Sequence, residues 1–158
     1  MSNPVELDPK EYVKTLELLK KIDFLAEVPE DDLRGVLFSL HKQVFGPNKT
    51  ILFQGEIANR LFIIGQGGVT ISSRKKGQNL ALAELKPPAY FGEISLLRPM
   101  SAMATATASD QGAELIILNH DALTELSKRI PDIQTRIQTI IDSRLASSKK
   151  AHEDDEAN

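Results

Sequence analysis

Residues Arg60–Leu85, RLFIIGQGGVTISSRKKGQNLALAEL, form the stretch of sequence that decides the fold class. Short runs of aliphatic and β-branched residues alternate in it with glycine and polar residues, which is typical of short β-strands and their turns. The tract Lys75–Asn79 (KKGQN) is a candidate hairpin turn, because its Gly77 takes a positive φ at no steric cost. The stretch therefore predicts antiparallel strands joined by a tight turn.

The same pattern continues on both sides of this stretch. Runs that predict further strands are TILF at 50–53, ATATA at 104–108 and ELIIL at 114–118. Asn48 and Gly55 lie beside the first of these runs, and both residue types tolerate the left-handed backbone conformation that turns require. We therefore predict an α+β, mainly β fold: an antiparallel β-roll or jelly roll (double-stranded β-helix) over residues ~44–118.

Helical patterns flank the predicted roll. Before it, apolar residues follow helical spacing over residues ~9–40, and Pro29 with the acidic residues after it marks the start of a second helix. After it, within ~120–146, Asn119 is a candidate N-cap and Pro131 marks the start of a last helix. That helix carries an apolar stripe made of Ile133, Ile137, Ile140, Ile141 and Leu145. We expect one domain over residues 1–146 and a disordered tail over 147–158, where no apolar pattern remains.

The composition argues against several functional classes. The 158 residues include no cysteine, which removes disulfides and thiolate chemistry, and only three scattered histidines, which predict no metal site. A net charge of −3 argues against general binding of DNA or anionic membranes, because both depend on concentrated Lys and Arg. No apolar run has the length of a transmembrane helix, and the N-terminal sequence lacks a secretory signal. We therefore expect a cytoplasmic protein that is not an enzyme, with no catalytic residue and no cofactor.

The segment Ala89–Ala106, AYFGEISLLRPMSAMATA, is the best candidate for a functional site. It predicts a turn, a short helix that begins at Gly92-Glu93, and a return strand. A helix start presents unpaired backbone N–H groups and the positive end of the helix dipole, so a phosphate binds there without a dedicated catalytic residue. The segment therefore predicts an anion site.

The order of these elements resembles the cyclic nucleotide-binding domain family. The matching segments are the helical stretch Leu19–Leu37, the strands Pro47–Glu56 (PNKTILFQGE) and Asn59–Ile71 (NRLFIIGQGGVTI), and Tyr90–Leu97 (YFGEISLL). The last of these is the strongest match, because it is similar to that family's phosphate-binding cassette. The resemblance implies a non-enzymatic signalling module that binds a cyclic nucleotide such as cAMP or cGMP.

The resemblance also implies roles for individual residues of the cassette. Gly92 gives close backbone approach to the sugar-phosphate, and Glu93 accepts a hydrogen bond from the ribose 2′-hydroxyl. Backbone N–H groups near Ile94, and near Met103 and Ala104 on the far side, face the cyclic phosphate. An alternative stays open for the first pair: Gly92 serves only the turn, and Glu93 only the helix N-terminus.

One position departs from the family pattern. Members that bind a cyclic nucleotide usually carry an arginine nine residues after the glutamate, and its guanidinium pairs with the phosphate. Ala102 stands at that position, and its neighbours Ser101 and Met103 are not cations. Loss of a hydrogen-bonded charged partner of this kind costs about 2–5 kcal/mol. The sequence therefore predicts a weakened or altered ligand site.

Three interpretations of this departure remain open. In the first, Arg98, five residues after Glu93, or Arg144 on the last helix reaches the phosphate from another position. In the second, the site takes a different ligand, such as a larger dinucleotide or one that is uncharged at this point. In the third, the site is empty and the domain is a protein-interaction scaffold.

We expect the signal to leave through the C-terminal helices. In this family ligand capture moves the final helices, and too few residues follow Leu145 for a DNA-binding helix-turn-helix. We therefore expect neither DNA nor a membrane as a partner. The C-terminal helices are predicted to contact a partner protein or a second copy of the chain.

Overall fold

Nine strands and four α-helices occupy the described residues, 4–92 and 100–143, of a computed structural model. The N-terminal part holds strand β1 (Val5–Glu6) and helices α1 (Tyr12–Lys20) and α2 (Glu30–Arg34), with 3-10 turns at Pro9–Glu11 and Leu37–Ser39. The strands that follow are β2 (His41–Phe45), β3 (Thr50–Leu52), β4 (Ile57–Ala58), β5 (Leu61–Lys75), β6 (Gln78–Leu85), β7 (Tyr90–Phe91), β8 (Met100–Ser101) and β9 (Thr105–Leu118). Helix α3 (His120–Arg129) and helix α4, described over 133–143, come last. The predicted tail, 147–158, lies outside the described residues.

All strand pairs are antiparallel, and most of them belong to one sheet. Its order is β1-β2-β9-β5-β6, with β3 also paired to β9 and β7 also paired to β5. Strands β4 and β8 form a separate pair, in which Ile57 pairs with Ser101 and Ala58 with Met100. This architecture confirms the predicted fold class, an antiparallel β-roll flanked by N-terminal and C-terminal helices.

Two apolar clusters form the core, and strands β5 and β9 contribute to both. The first, which we call the helical cluster, also contains buried residues of all four helices, and its members from β5 and β9 are Leu61, Ile63, Ile116 and Leu118. The second, the barrel cluster, lies within the strands, and its central members are Phe62, Ile64, Leu115 and Ile117. Successive side chains of a strand point to opposite faces, so one strand pair builds both clusters.

The turns that glycine and asparagine predict are present. Lys76 and Gly77 join β5 to β6 with φ angles of 54° and 79°, as the two-residue hairpin turns that match strand twist require. Asn48 and Gly55 also have positive φ, at 61° and 89°. The predicted hairpin at Lys75–Asn79 and its positive-φ glycine are therefore confirmed.

Two expected strand breaks are wrong. The short runs that glycine separates within residues 61–75 belong to one strand, β5, and ATATA and ELIIL belong to one strand, β9. A Cβ atom on Gly67 would lie 2.2 Å from the carbonyl oxygen of Gly112, and the β5–β9 register shifts at this point. These glycines therefore mark a bulge where two backbones approach too closely for a side chain, and they do not end the strands.

The helices begin where the sequence predicts. Pro29 is the N-cap residue of α2, and three acidic residues follow it in the first turn. Asn119 caps α3, because its Oδ1 accepts a hydrogen bond from the Ala122 N–H at 3.0 Å. The stripe of α4 packs against the helical cluster through Ile133, Ile137, Ile140 and Ile141, while Leu145 lies outside the described residues. The apolar face of α4 is thus used largely for packing within the chain.

The cap at Asn119 is testable by substitution. Asn119→Ala removes the hydrogen bond to the Ala122 N–H, so the free energy of unfolding is expected to fall by about 0.5–2 kcal/mol. Asn119→Asp keeps an acceptor oxygen and is the matched control, expected within about 0.5 kcal/mol of the wild type. Urea denaturation followed by circular dichroism measures both variants. Equal losses in the two variants would contradict the capping role.

Candidate functional site

The candidate site segment connects β7 to β9. At its start β7 pairs with β5, with Phe91 opposite Phe62 and Tyr90 opposite Ile63. At its end β8 pairs with β4, and the chain then enters β9 at Thr105. The segment is therefore held at both ends by backbone pairing to neighbouring strands.

Four of the predicted site residues lie outside the described residues. Glu93, Ile94 and Arg98 fall within 93–99, and Arg144 directly follows the described part of α4. Their predicted roles stay predictions. The structure places the other four, which are Gly92, Ala102, Met103 and Ala104.

Gly92 is held against the backbone of Arg60. Its φ is 89°, and a Cβ atom at this position would lie 2.5 Å from the Arg60 carbonyl oxygen. Such a distance is far below van der Waals contact, so another residue fits here only if the two backbones separate. This backbone contact alone favours glycine at position 92, without any ligand. It is consistent with the alternative that Gly92 serves only the turn.

The two residues before Gly92 anchor β7 in both clusters. Phe91 lies in the barrel cluster and stacks on Phe62, with 5.0 Å between ring centroids and 17° between ring planes. Tyr90 lies in the helical cluster, and its hydroxyl donates a hydrogen bond to Asp23 Oδ1 at 2.6 Å. The Phe24 ring meets the Tyr90 ring edge-on at 5.4 Å. The start of the cassette is therefore fixed both to the roll and to the turn between α1 and α2.

Ala102, which the resemblance predicts to stand at the position of the family's arginine, is built into the barrel. Its side chain is 9% exposed and belongs to the barrel cluster. Its N–H donates a hydrogen bond to the Glu56 carbonyl at 2.8 Å, and its carbonyl accepts one from the Gly55 N–H at 2.8 Å. The backbone is thus fixed by the loop that leads into β4, and the side chain presents a methyl group where a cation is expected.

The next two residues turn towards solvent. Met103 is 60% exposed, and Ala104 is half-buried. Within 4–92 and 100–143, neither the Met103 nor the Ala104 N–H donates a backbone hydrogen bond. Thr105 Oγ1, directly after them, accepts a hydrogen bond from the Gln54 N–H at 2.9 Å. The two amides that the resemblance predicts to face the phosphate thus take no part in backbone pairing within those ranges.

Arg60 is a cation near the cassette that the sequence reasoning missed. Its guanidinium carbon lies 5.4 Å from the centroid of the Phe62 ring, which is a cation–π distance. The residue is half-buried, and within the part of the chain that the structure describes it forms no ion pair. The available signal was its spacing: Arg60 directly precedes β5 and lies two residues before Phe62, so an extended backbone places the two side chains on the same side.

A separate cavity of about 530 Å³ lies between α1 and the sheet, away from the cassette. Lys42 lines it and forms ion pairs with Glu11 and Glu114. The hydrogen bond to Glu11 raises the pKa of Lys42, mainly because it stabilises the charged ammonium. Lys42 therefore stays protonated at neutral pH, and the charge of this cavity is balanced from within the chain.

The structure also bears on metal sites and membrane insertion. In the described ranges, no group of three or more His, Asp or Glu residues is arranged to hold a metal ion. No helix there is long and apolar enough to cross a membrane.

The chain belongs to the cyclic nucleotide-binding domain family, because that family's model, "Cyclic nucleotide-binding domain", matches residues 42–129. The cAMP-dependent protein kinase regulatory subunit of Yarrowia lipolytica is 29% identical over 90 residues, which cover 57% of this chain and 24% of the relative. The cyclic AMP receptor protein of Thermus thermophilus is 29% identical over 105 residues, which cover 66% of this chain and 48% of the relative. The chain therefore spans less than half the length of these two relatives.

Solved structures support the fold. A cyclic nucleotide-binding domain from Methylobacillus flagellatus superimposes with a TM-score of 0.76 at 19% identity, covering 97% of this chain and 86% of that one. The chain thus has the fold of a cyclic nucleotide-binding regulatory module, as the resemblance implied.

The contact between Gly92 and Arg60 predicts a difference between two glycines with the same φ. Gly55→Ala introduces a Cβ with nothing within 4 Å, so it should cost only the positive φ of 89°, about 1–2 kcal/mol of unfolding free energy. Gly92→Ala adds a collision with the Arg60 carbonyl and should cost about 1–3 kcal/mol more. Urea denaturation of both variants checks this, and equal losses would show that the two backbones separate freely.

Proposed function

We propose that this chain is a regulatory module that responds to a cyclic nucleotide through a ligand site without the usual phosphate-binding arginine. The carrying observation is the placement of Ala102: its side chain packs in the barrel cluster, and its backbone is tied to Gly55 and Glu56. A ligand phosphate would therefore meet a methyl group where relatives of this family offer a guanidinium.

The remaining parts of the cassette support a nucleotide site. Within the described residues the Met103 and Ala104 amides donate no backbone hydrogen bond, and Gly92 leaves the start of the predicted helix without a side chain. Glu93 and Ile94 keep their proposed roles towards the ribose hydroxyl and the phosphate. These residues of the cassette offer the phosphate neutral donors, whose hydrogen bonds are roughly half as strong as those of a charged donor.

We also propose that the output passes through the C-terminal helices. Helices α3 and α4 share the helical cluster with Tyr90, which lies two residues before Gly92. A shift of the cassette on ligand binding would therefore change the packing surface of these helices. A partner protein or a second copy of the chain would then detect this change at their exposed faces.

Ala102→Arg tests the proposed site. Restoring a guanidinium next to the phosphate should tighten cAMP or cGMP binding about ten- to a thousandfold, because the charge-assisted pair contributes about 2–5 kcal/mol. Met103→Arg is the matched control, since it adds the same charge at an exposed neighbouring position. Isothermal titration calorimetry with cAMP, cGMP and a cyclic dinucleotide measures all three proteins.

Two results would contradict this proposal. Micromolar or tighter cAMP binding by the wild type that survives substitution of Arg60, Arg98 and Arg144 would show that backbone amides suffice. Equal gains for Ala102→Arg and Met103→Arg would show a general charge effect and no specific phosphate position.

The alternative function is a protein-interaction scaffold that binds no nucleotide. The observation in its favour is a group of exposed apolar side chains around the β4–β8 pair: Phe53, Ile57 and Met103 are 61%, 76% and 60% exposed. This alternative predicts no change of melting temperature with any cyclic nucleotide, even for Ala102→Arg, in differential scanning fluorimetry. A nucleotide-dependent shift in that variant would reject it.

A further inference from the structure

The segment Glu56–Arg60, which contains β4 and ends directly before β5, contacts the cassette at two places. On one side the Glu56 carbonyl accepts a hydrogen bond from the Ala102 N–H at 2.8 Å. On the other side the Arg60 carbonyl is the atom that a Cβ on Gly92 would strike at 2.5 Å. Arg60 is therefore placed next to Gly92, and it lies four residues after Glu56, whose carbonyl is bonded to the Ala102 backbone.

The direction of the Arg60 side chain follows from the strand pattern. Phe62 points into the barrel cluster, and Arg60, two residues earlier, lies on the same face. The guanidinium confirms this placement, since it lies 5.4 Å from the centroid of the Phe62 ring. The same ring stacks on Phe91, whose neighbour is Gly92.

The charge of Arg60 is not neutralised by the described part of the chain. The ion pairs there join other residues, and Arg129, the arginine whose ion pair crosses between helices, contacts Asp32. Among the described residues its guanidinium contacts the Phe62 face and forms no ion pair, and a guanidinium carries five N–H donors that suit an anion. Arginine is also the side chain best suited to a phosphate, because its donors form a planar fork.

We propose that Arg60, directly before β5, supplies the phosphate counter-charge that Ala102 lacks. The ligand class is a cyclic phosphodiester anion, and the inference rests on the proposed function. The guanidinium leaves the Phe62 face or slides along it to meet the phosphate, while the Met103 and Ala104 amides bind from the other side.

The experiment is a double-mutant cycle between Arg60 and Ala102, with cAMP and cGMP as probes. Arg60→Gln keeps most of the side-chain length but removes the charge, and should weaken binding about ten- to a hundredfold. In the Ala102→Arg background the same change should cost less than about threefold, because the second guanidinium supplies the charge. Arg74→Ala, at the exposed far end of β5, is the matched control and should leave binding unchanged.

The outcomes separate this inference from the proposed function. If Ala102→Arg binds and Arg60→Gln binds as tightly as the wild type, Arg60 is not the counter-ion and this inference is overturned, while the proposed function stands. If no variant binds, including Ala102→Arg, the proposed function fails, and the inference fails with it. Arg60→Lys and urea denaturation guard against a folding defect: lysine keeps the charge, so it should recover part of the affinity lost in Arg60→Gln at equal stability.

Discussion

The pairing of β5 with β9 is the constraint on which the rest of the structure depends. Over Leu61–Ile64 and Leu115–Leu118 the two strands pair residue by residue, and their side chains alternate between the helical and barrel clusters. β7 extends this alternation, because Tyr90 pairs with Ile63 and Phe91 with Phe62. The cassette therefore begins on a strand that already has one side chain in each cluster.

Most of the fold was predictable because it depends on local patterns. The β5–β6 hairpin follows from KKGQN, and the start of α3 follows from Asn119, since both signals act within a few residues. The continuity of β5 and β9 was not predictable in the same way. A glycine in a sequence is equally compatible with a turn and with a β-bulge. The close contact between Gly67 and Gly112, which distinguishes the two cases here, involves residues that are distant in sequence.

In the candidate site, too, some features follow from local sequence patterns and others depend on distant residues. The cassette motif identified Gly92 and Ala102, but residues distant in sequence surround both. The Arg60 carbonyl lies beside Gly92. The Glu56 carbonyl and the barrel cluster hold Ala102. The cassette motif relates residues by their spacing along the chain, so it directed the search for a cation to residues after Glu93, such as Arg98. It gave no weight to Arg60, which only the contact between two separate strands brings to the cassette.

Because β5 and β9 contribute to both apolar clusters, they also determine how cooperatively the domain unfolds. Removing the helices would expose Leu61, Ile63, Ile116 and Leu118, which are at most 4% exposed in the intact fold. Each such side chain contributes about 1.5–3 kcal/mol through burial, a large share of the stability of a domain this size. The roll and its helices should therefore melt as one cooperative unit, so any solvent, temperature or substitution that loosens the helices also loosens the walls of the ligand site.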